Sequence, residues 1–595
     1  MNVGRRSRWT KVALTVVVAI GVGSTAGAQG QGRGRSNDPN AGAPYTPAAD
    51  AKDLRSVLFN WMWRQGMLKG TDERDMVATL EYQAKSGTIQ VGGQPCTLTK
   101  YRASTNYQTL SQRINYTCRR ANQQTASNIE VVSWQYAWDE DTPGAEIAGT
   151  KGKVAAMPAA VQERLIRLWA SPQGAPKAAL AGTMDTWTLG ANPGVVVPDG
   201  VMKAGNTSVS WDAAGKAVVS FPIPGVAGAT GTATLDANYM TEKVVVTQGA
   251  PGTTTTEFTY SDYKDWNSAL NKIQVLYAGK MTERKNGAVV RDLTTDVTET
   301  GNVYVVAPVP ASVAKAMNVT TKAPTIVFAR REPPTNTAAP TPRIGGHPDL
   351  TGNWAEFNIG WIGDYMGNGG RRCAPNQPKP CNRGTNQTED FELYSPSRFG
   401  QLGRPIYKPE YWDKVQQLDM WTNKEDPVMT CQPLGSPRQG PPRRIFQTEN
   451  DITFLYGQFS DAGGGMAEFR VVPTDGAHQH PPDAQYAFKY FGDTVGHWEG
   501  DTLVFDSIGF VDTTWIGRGG YFHSDKMHIV EKFRREGDAI FYDLTLDDPE
   551  VLAEPLVFPT RILRRNAGAN AGLIAERGNC ETDFERGAAA TQIRH

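Results

Sequence analysis

The segment TSVSWDA at residues 207–213 opens the part of the sequence that decides the fold, and four similar segments follow: KAVVSFPI at 216–223, GTATLDANY at 231–239, EKVVVTQ at 242–248 and TTTEFTYSDY at 254–263. Each alternates polar with apolar residues or is rich in β-branched side chains, which is typical of strands. Turn-forming pairs such as Ala-Gly and Pro-Gly separate them. The succession predicts one large, curved antiparallel sheet with helices on one side.

The region before these segments combines further short strands with two helices. The spacing of apolar residues predicts one helix from Lys52 to about Lys69 and another from Val154 to Trp169. Strand patterns lie between them, at 79–83, 88–91, 97–102, 112–118 and 128–137. Residues 51–318 are therefore predicted to form one antiparallel-sheet domain that carries helices.

A second β domain is predicted after a linker. Residues 319–346 are rich in Pro, Thr and Ala, a composition typical of a semi-rigid connection between domains. Residues 347–595 are predicted to form a β-barrel-like domain. Its opening Gly352-Asn353-Trp354 resembles the Gly-x-Trp of calycin barrels, in which the Trp plugs the barrel floor. The whole chain thus predicts a mainly β, α+β protein: a curved antiparallel sheet with helices, linked to a calycin-like barrel.

The N-terminus has the pattern of an export signal. Basic residues at 5–11 precede an apolar run from Val12 to Val22, and Ala26-Gly27-Ala28 follows. This order is that of a secretory signal peptide at 1–28, and the apolar run is too short for a permanent membrane anchor, which needs about 20 residues. Residues 29–50, rich in Gly, Asn, Pro and Ala, are interpreted as a flexible lead-in. The pattern predicts a periplasmic or secreted protein.

The cysteines agree with an oxidising compartment. Their number is even, and an exported protein can pair them as disulfides. Their spacing matches no zinc-binding pattern. Six cysteines allow 15 pairings, of which proximity in sequence favours three, namely Cys96–Cys118, Cys373–Cys381 and Cys431–Cys580.

The overall composition restricts the classes of partner. Lys and Arg together number 61, as do Asp and Glu, so the chain lacks the basic excess expected of a nucleic-acid partner. The sequence contains no nucleophile elbow, no phosphate-binding glycine loop and no His-Glu-x-x-His motif. The sequence therefore predicts that the protein has no cofactor.

The C-terminal half contains a set of motifs that resembles a family of exported bacterial proteins of unknown function. The family motif commonly has Arg where this chain has His497, and an Arg after Asp475-Gly476 where this chain has Ala477. The resemblance implies export but no activity. It rests on DP at 426–427, CQPLGSPR at 431–438, FQT at 446–448, GHWEGDTLV at 496–504, DSIGF at 506–510, HS at 523–524, HIVEKFRR at 528–535, DP at 548–549 and CE at 580–581.

The N-terminal half has a separate resemblance. Its strand succession, together with Tyr260-Ser261-Asp262-Tyr263-Lys264-Asp265-Trp266, is similar to the half-barrels of the lipoprotein-carrier proteins of the periplasm. The resemblance implies a concave antiparallel sheet with helices on one side.

Candidate site residues concentrate in the second domain. Taken as a strand, residues 526–535 place Met527, Ile529, Glu531, Phe533 and Arg535 on one largely apolar face, which we expect to face inward. Two readings stay open for the two charged members: a buried pair that fixes strand register, or a general acid/base and anion clamp facing a cavity. Asp506, His523 and His528 complete the candidate catalytic set.

Aromatic and acidic residues form the candidate ligand-binding set, which is Trp354, Trp498, Glu499 and Trp515. The stretch from Trp498 to Thr502 contains Glu-Gly-Asp, which predicts a tight hairpin turn. The alternative places Glu499 or Asp501 at a barrel rim, ready for proton transfer. His478 and His480 would share one face of a strand, as a metal pair requires, but neighbouring Gly and Pro residues place them in a loop, and no metal site is predicted.

The sequence alone leaves three functions open. The first is a protein that binds a hydrophobic small molecule or lipid in a β-barrel cavity. The second is a cofactor-free lyase, hydratase or isomerase that acts on a small hydrophobic compound by proton transfer. The third is an envelope scaffold. The sequence favours binding slightly over catalysis.

Overall fold

The structure of the protein is a computed structural model that describes the chain in segments. The predicted signal peptide at 1–28 and nearly all of the lead-in lie outside them, as do residues 321–335 of the predicted linker. The described residues are 48, 50–69, 74–75, 77, 79–107, 109–183, 206–249, 254–265, 276–300, 304–320, 336–356, 405–418, 432–456, 468–517, 520–558, 560–568, 571 and 574.

The first half of the chain is built from long antiparallel strands and four α-helices among its described residues. The helices are α1 Leu54–Arg64, α2 Val161–Ala170, α3 Gly174–Ala181 and α4 Ala311–Met317, with 3₁₀ turns at Ile147–Gly149 and Pro158–Ala160. The strands are β1 Leu68–Lys69, β2 Arg74–Asp75, β3 Thr79–Val91, β4 Gln94–Asn106, β5 Ser111–Arg120, β6 Thr125–Ser133, β7 Tyr136–Glu140, β8 Val154–Ala156, β9 Ser208–Trp211, β10 Ala217–Pro222, β11 Ala229–Leu235, β12 Thr241–Gln248, β13 Thr254–Ser261, β14 Lys264–Asp265, β15 Leu276–Tyr277, β16 Lys280–Lys285 and β17 Ala288–Thr300.

Thirteen of these strands form one antiparallel sheet. Its order is β8-β7-β6-β5-β4-β3-β17-β16-β13-β12-β11-β10-β9, so the chain meanders through each half and β17 joins the two halves by pairing with β3. The five segments between residues 207 and 263 became β9 to β13, as predicted. The mainly β fold class with large antiparallel sheets is therefore confirmed.

Helices α1, α2 and α3 cover this sheet. Asp53 caps α1 by accepting a hydrogen bond from the backbone N–H of Ser56 at 3.0 Å. α1 buries Trp61 and Met62, and every residue of α3 is buried. These side chains pack with the buried face of the strands into one large core, because a sheet with one apolar face needs another layer to cover it.

Two local predictions in this region were wrong. Residues 128–137 were expected to form one strand, but the chain turns at Trp134, whose φ is +50°, and returns as β7. The helix expected from Val154 begins only at Val161, because residues 154–156 pair with β7 as strand β8 and Pro158 starts a 3₁₀ turn. Both errors arise where tertiary pairing overrides a local pattern.

The second half is a separate β unit with its own core. Its described helical segments are α5 Trp412–Gln417 and the 3₁₀ turns Pro409–Tyr411 and Ala484–Tyr486. Its strands are β18 Arg343–Ile344, β19 His347–Pro348, β20 Gly352–Glu356, β21 Arg444–Gln447, β22 Asp451–Leu455, β23 Phe469–Pro473, β24 Asp493–Glu499, β25 Thr502–Ile508, β26 Trp515–Gly517, β27 Tyr521–Phe522, β28 His528–Glu536, β29 Ala539–Asp547, β30 Leu556–Val557 and β31 Arg561–Arg565.

The main sheet of this unit curls into a nearly closed barrel. Its order is β23-β22-β21-β20-β31-β29-β28-β25-β24, with β30 added to β29. The two end strands approach each other at Gly496 of β24, where a Cβ atom would lie 2.8 Å from the carbonyl oxygen of Pro473 in β23. Only glycine allows so close an approach of two backbones.

Two features bear on the predicted compartment. Cys96 on β4 and Cys118 on β5 form a disulfide with their Cα atoms 5.5 Å apart, which confirms that predicted pair. Cys373, Cys381, Cys431 and Cys580 lie outside the described residues, so their pairing stays a prediction. Among the described helices, none has the length and apolar character needed to cross a bilayer.

Removal of the Cys96–Cys118 bridge by a double substitution to Ala should destabilise the first sheet. The bridge closes a loop of 22 residues in sequence separation, and loop-closure entropy gives a loss of about 3 kcal/mol. Urea denaturation followed by the fluorescence of the buried tryptophans measures the change. An unchanged unfolding midpoint would contradict the stabilising role of the bridge.

Candidate functional site

Glu531 lies inside the barrel and accepts three hydrogen bonds from two residues. The strand β28 alternates in burial as predicted, with Ile529, Glu531, Phe533 and Arg535 all buried. The Glu531 carboxylate accepts hydrogen bonds from the guanidinium of Arg470 at 2.7 and 3.0 Å and from the Tyr542 hydroxyl at 2.7 Å. Both of its oxygens are therefore occupied within the protein.

Aromatic rings enclose this buried pair. The Arg470 guanidinium carbon lies 5.2–5.8 Å from four ring centroids, and Arg470 Nε donates to the Tyr456 hydroxyl at 2.6 Å. Burial opposes the charge of Arg470, but the neighbouring Glu531 outweighs it and raises the pKa of the guanidinium. The arrangement favours a structural ion pair over a general acid/base, because Glu531 would have to give up these bonds to exchange a proton. The four rings are those of Phe454, Tyr456, Phe491 and Phe505.

Arg535 serves a different part of the barrel. It donates to the backbone carbonyls of Gly537 and Asp349, and its guanidinium lies 5.3 Å from the ring of Trp354, which Arg565 approaches at 5.1 Å. Trp354 is buried on β20 and donates from its ring nitrogen to the carbonyl of Leu350 at 2.9 Å. This arrangement secures the start of β20.

Asp506 and His528 meet on the outer face of the same strands. Asp506 follows the inward-facing Phe505, so its side chain points away from the interior. One of its oxygens contacts Nε2 of His528 at 3.0 Å and Nε2 of His480 at 3.1 Å. The other ring nitrogen of His480 contacts Asp493 at 3.0 Å, which ties the loop before β24 to the barrel wall.

The hydrogen bonds in this outer cluster shift its pKa values. The hydrogen bond with Asp506 raises the pKa of His528 above its ordinary value of 6.5. The same bond lowers the pKa of Asp506 below 3.8, and His480 adds to that effect. Among the described residues, no group of three or more His, Cys, Asp or Glu side chains has the geometry to hold a metal ion.

The other candidates lie apart from one another. His523 is buried between the hydroxyl of Thr514 and the carbonyl of Ser524, each at 2.8 Å, and burial lowers its pKa. Trp498 is half-buried and stacks on His347 at 4.5 Å. Glu499 is exposed and pairs with Lys532.

The candidates therefore do not form one site. Trp515 is buried in the second core. Gly500 forms the turn between β24 and β25 with a φ of +62°, which confirms the predicted hairpin. Asp506 and His528 meet, whereas Glu531 faces the opposite side of the wall.

A cleft lies elsewhere, between the first sheet and helix α2. Its enclosed volume is about 20 Å³, room for about one water molecule, and the empty space beyond it opens to solvent. Five tyrosines contribute to its wall, and one charged group comes from each of α2, β16 and β17. The lining residues are Tyr82, Tyr101, Thr105, Tyr107, Gln112, Arg167, Ser171, Phe258, Tyr260, Tyr277, Met281, Thr282, Glu283, Arg291 and Leu293.

The tyrosine hydroxyls turn toward the protein. The Tyr260 hydroxyl donates to the carbonyl of Ala170 at 2.8 Å, and that of Tyr107 shares a hydrogen bond with Ser171 at 2.9 Å. Tyr101 accepts from Arg291 at 3.1 Å. Burial raises the pKa values of Tyr107 and Tyr260 far above the neutral range, so both remain protonated. Their rings supply an apolar surface.

A buried charge network forms one side of the cleft. Arg167 of α2 contacts Glu283 of β16 at 3.1 Å and Glu130 of β6 at 3.5 Å. Arg291 of β17 contacts the same two carboxylates at 3.3 and 3.0 Å. Burial acts to raise the pKa of Glu130, but Arg291 and Arg167 outweigh it and hold that pKa below its ordinary value.

The contacts of this network also show that the sheet is strongly curved. β6 and β17 are four positions apart in the strand order, and in a flat sheet their backbones would be separated by about 19 Å. The Arg291–Glu130 contact of 3.0 Å spans that distance only because the sheet curls around α2. The Arg291–Glu130 pair therefore connects two strands that do not pair through their backbones, whereas Arg291 and Glu283 face each other on the adjacent strands β17 and β16.

Sequence reasoning missed this site, although one signal pointed to it. Arg291 has the same phase along β17 as the buried Leu293 and Thr295, so alternation places a charged residue on the inward face. The same test finds Tyr260 beside Phe258 on β13. Alternation along a strand does not show which distant strand carries the residue that pairs with Arg291.

Comparisons with known proteins assign no family to the chain. A scan of the chain against protein-family models finds no match, and a search of the curated proteins finds no matching relative. The resemblances drawn from the motifs in both halves therefore stay predictions.

Replacement of Glu531 by Gln should strongly destabilise the barrel. The substitution leaves the Arg470 charge buried without its carboxylate, for which a loss of about 3–5 kcal/mol in the free energy of unfolding is expected. Glu499→Gln, which removes the exposed partner of Lys532, is the matched control and should change stability little. Equal losses in chemical denaturation for both variants would contradict the structural assignment.

The outer pair predicts a defined pH dependence. A raised His528 pKa adds stability that is complete below pH 6.5 and is lost as the pH rises through the folded-state value. A lowered Asp506 pKa adds stability that is complete above 3.8 and is lost as the pH falls through its folded-state value. The stability difference between the wild type and Asp506→Asn should therefore be greatest between these two pH values.

A titration of the His528 ring by NMR provides the direct check of this pair. In Asp506→Asn, the His528 pKa should fall toward its ordinary value, because the neutral amide no longer favours the imidazolium. A pKa that is the same in both proteins would show that the contact has no electrostatic effect.

Proposed function

We propose that the protein binds a small hydrophobic molecule or lipid, and that the tyrosine-lined cleft of the first sheet is its binding site. The observation that carries the proposal is the aromatic lining of this cleft. Its enclosed volume of about 20 Å³ has to widen before a ligand larger than water can enter. Pockets for small molecules are concave and mostly apolar, with a few polar groups at fixed positions. The cleft combines both properties.

The proposed ligand site lies in the first sheet and not in the C-terminal barrel, where the sequence alone predicts it. In the barrel interior, the rings of Phe533 and Tyr542 stack at 4.6 Å, and Phe454 contacts both Phe505 and Phe533 at about 5 Å. These side chains pack against one another around the Arg470–Glu531 pair. The described barrel interior thus supports a structural role for this unit.

The compartment of the proposed function is the periplasm or the extracellular space. The signal pattern at 1–28 supports it, and the Cys96–Cys118 disulfide is what an oxidising compartment would favour. In such a compartment, a protein with an apolar cleft can hold a ligand of low solubility in water.

The test is binding of the uncharged fluorescent probe N-phenyl-1-naphthylamine, whose emission increases in an apolar site. Met281→Trp places a larger side chain in the cleft and should weaken probe binding at least about tenfold, because overpacked apolar sites tolerate extra volume poorly. The control is Lys280→Trp, one residue earlier on β16, where the side chain is mostly exposed and lies on the opposite face.

Thermal unfolding monitored by circular dichroism establishes that both variants fold. The proposal predicts saturable binding by the wild type and by Lys280→Trp, and weak binding by Met281→Trp. Equal affinity in all three proteins would place the probe outside the cleft and overturn the assignment.

A further inference from the structure

The two end strands of the barrel do not close it by backbone pairing. The nine strands on its main path are joined by antiparallel pairings throughout, and an odd number of such strands leaves the first and the last, β23 and β24, running in the same direction. Among the described residues, these two strands form no ladder with each other. Residues 474–492, here called the seam loop, connect them, so the contacts of this loop help to hold the barrel closed.

One histidine fastens the seam loop to two strands of the barrel wall. Nδ1 of His480 contacts Asp493, the first residue of β24, at 3.0 Å, and Nε2 contacts Asp506 on β25 at 3.1 Å. Only 21% of the side chain is exposed. An imidazole ring carries hydrogen on both nitrogens only in its charged form. Both contacts are therefore hydrogen bonds only while the ring is an imidazolium.

Loss of one ring proton makes one of these contacts repulsive. The deprotonated nitrogen turns its lone pair toward a carboxylate oxygen at 3.0 or 3.1 Å, and two acceptors cannot form a hydrogen bond. Burial acts to raise the pKa of Asp493, but hydrogen bonds from His480 and Lys489 outweigh it and hold that pKa below its ordinary value of 3.8. Together with the lowered pKa of Asp506, this keeps both carboxylates ionised throughout the range in which imidazoles titrate.

The other charges around the ring do not replace the lost proton. Lys489 contacts the second oxygen of Asp493 at 3.2 Å, and His528 contacts the shared oxygen of Asp506 at 3.0 Å. Asp547 lies opposite His528 on β29 and adds a further negative charge. Each of the two cations thus donates to a carboxylate, and neither contact supplies a hydrogen to the deprotonated ring.

The chain after the histidine passes its movement to the next turn. Pro481 and Pro482 follow His480 directly, and the 3₁₀ turn Ala484–Tyr486 comes next. Because proline fixes the backbone φ, the segment between the ring and the turn has little internal freedom. The far end of the loop stays fixed, since Phe491 is buried in the second core.

We propose that the seam loop is a pH-sensitive latch on the barrel, closed while His480 donates a hydrogen bond to each of the two carboxylates and released when the ring loses a proton. A charged ring that gains partners on folding adds stability at acidic pH, and this stability is lost as the pH rises. The latch is therefore closed in acid and opens toward alkaline pH. The proposal is independent of ligand binding in the cleft.

The test is hydrogen exchange of the full-length protein at about pH 5.5 and about pH 8.5, on either side of the range in which histidines titrate. Exchange times are scaled for the intrinsic rate at each pH, and mass spectrometry follows the amides of Ala484, Tyr486 and Ala487, which close the turn after the histidine. Their protection should fall at least about tenfold at the higher pH, because hydrogen bonds to charged groups are among the stronger ones. Equal protection at both pH values would overturn the proposal.

Asp493→Asn should remove the pH response and leave the latch closed. The amide nitrogen of Asn can donate to a deprotonated ring nitrogen, and the amide oxygen can still accept from Lys489. Protection should therefore stay high at both pH values. The variant retains Asp506 and His528, so a response of wild-type size in Asp493→Asn would assign the effect to that pair and contradict the latch.

His480→Gln should open the latch at both pH values, since an uncharged amide has a donor at one end only. The matched control is His478→Gln, two residues earlier, where the side chain is 57% exposed and contacts Asp475 within the loop. Thermal unfolding establishes that both variants fold. The control should keep the wild-type pH response, and an equal loss of protection in both variants would overturn the assignment to His480.

Discussion

The contact between Arg291 on β17 and Glu130 on β6 is the constraint on which the N-terminal unit depends. It joins two strands that are four positions apart in the sheet, and Arg167 adds helix α2 to the same network. Buried ion pairs carry a large desolvation cost, and they persist only where every partner is present. The network therefore ties the curl of the sheet to the position of α2, and the cleft forms in the space that remains.

The strands were predictable where the local pattern agreed with the final pairing. β9 to β13 alternate along their length and end at turn-forming residues, so the sequence indicated their number and order. The pattern failed at Trp134, because a bulky aromatic residue with positive φ is not a usual turn signal. It also failed at 154–156, where alanine-rich sequence favours a helix and pairing with β7 makes a strand.

The candidate site was predictable only in part, because its contacts are long-range. Alternation along β28 placed Glu531 on the inward face, but its partner Arg470 lies 61 residues away on another strand. Because Arg470 binds the Glu531 carboxylate, Glu531 is part of a structural ion pair and not a proton-transfer group. The cleft is assembled from β3, β4, β5, β13, β15, β16, β17 and α2, and no local pattern shows that these elements converge.

The central claim is that ligand binds in the cleft of the first sheet and not in the C-terminal barrel. A photoreactive diazirine analogue of a long-chain alcohol, cross-linked to the protein and mapped by peptide mass spectrometry, tests the location directly. The account predicts labelled peptides that contain Tyr260, Met281 or Ser171, with labelling suppressed by excess 1-decanol. Labelling confined to the barrel strands, between residues 444 and 565, would contradict it.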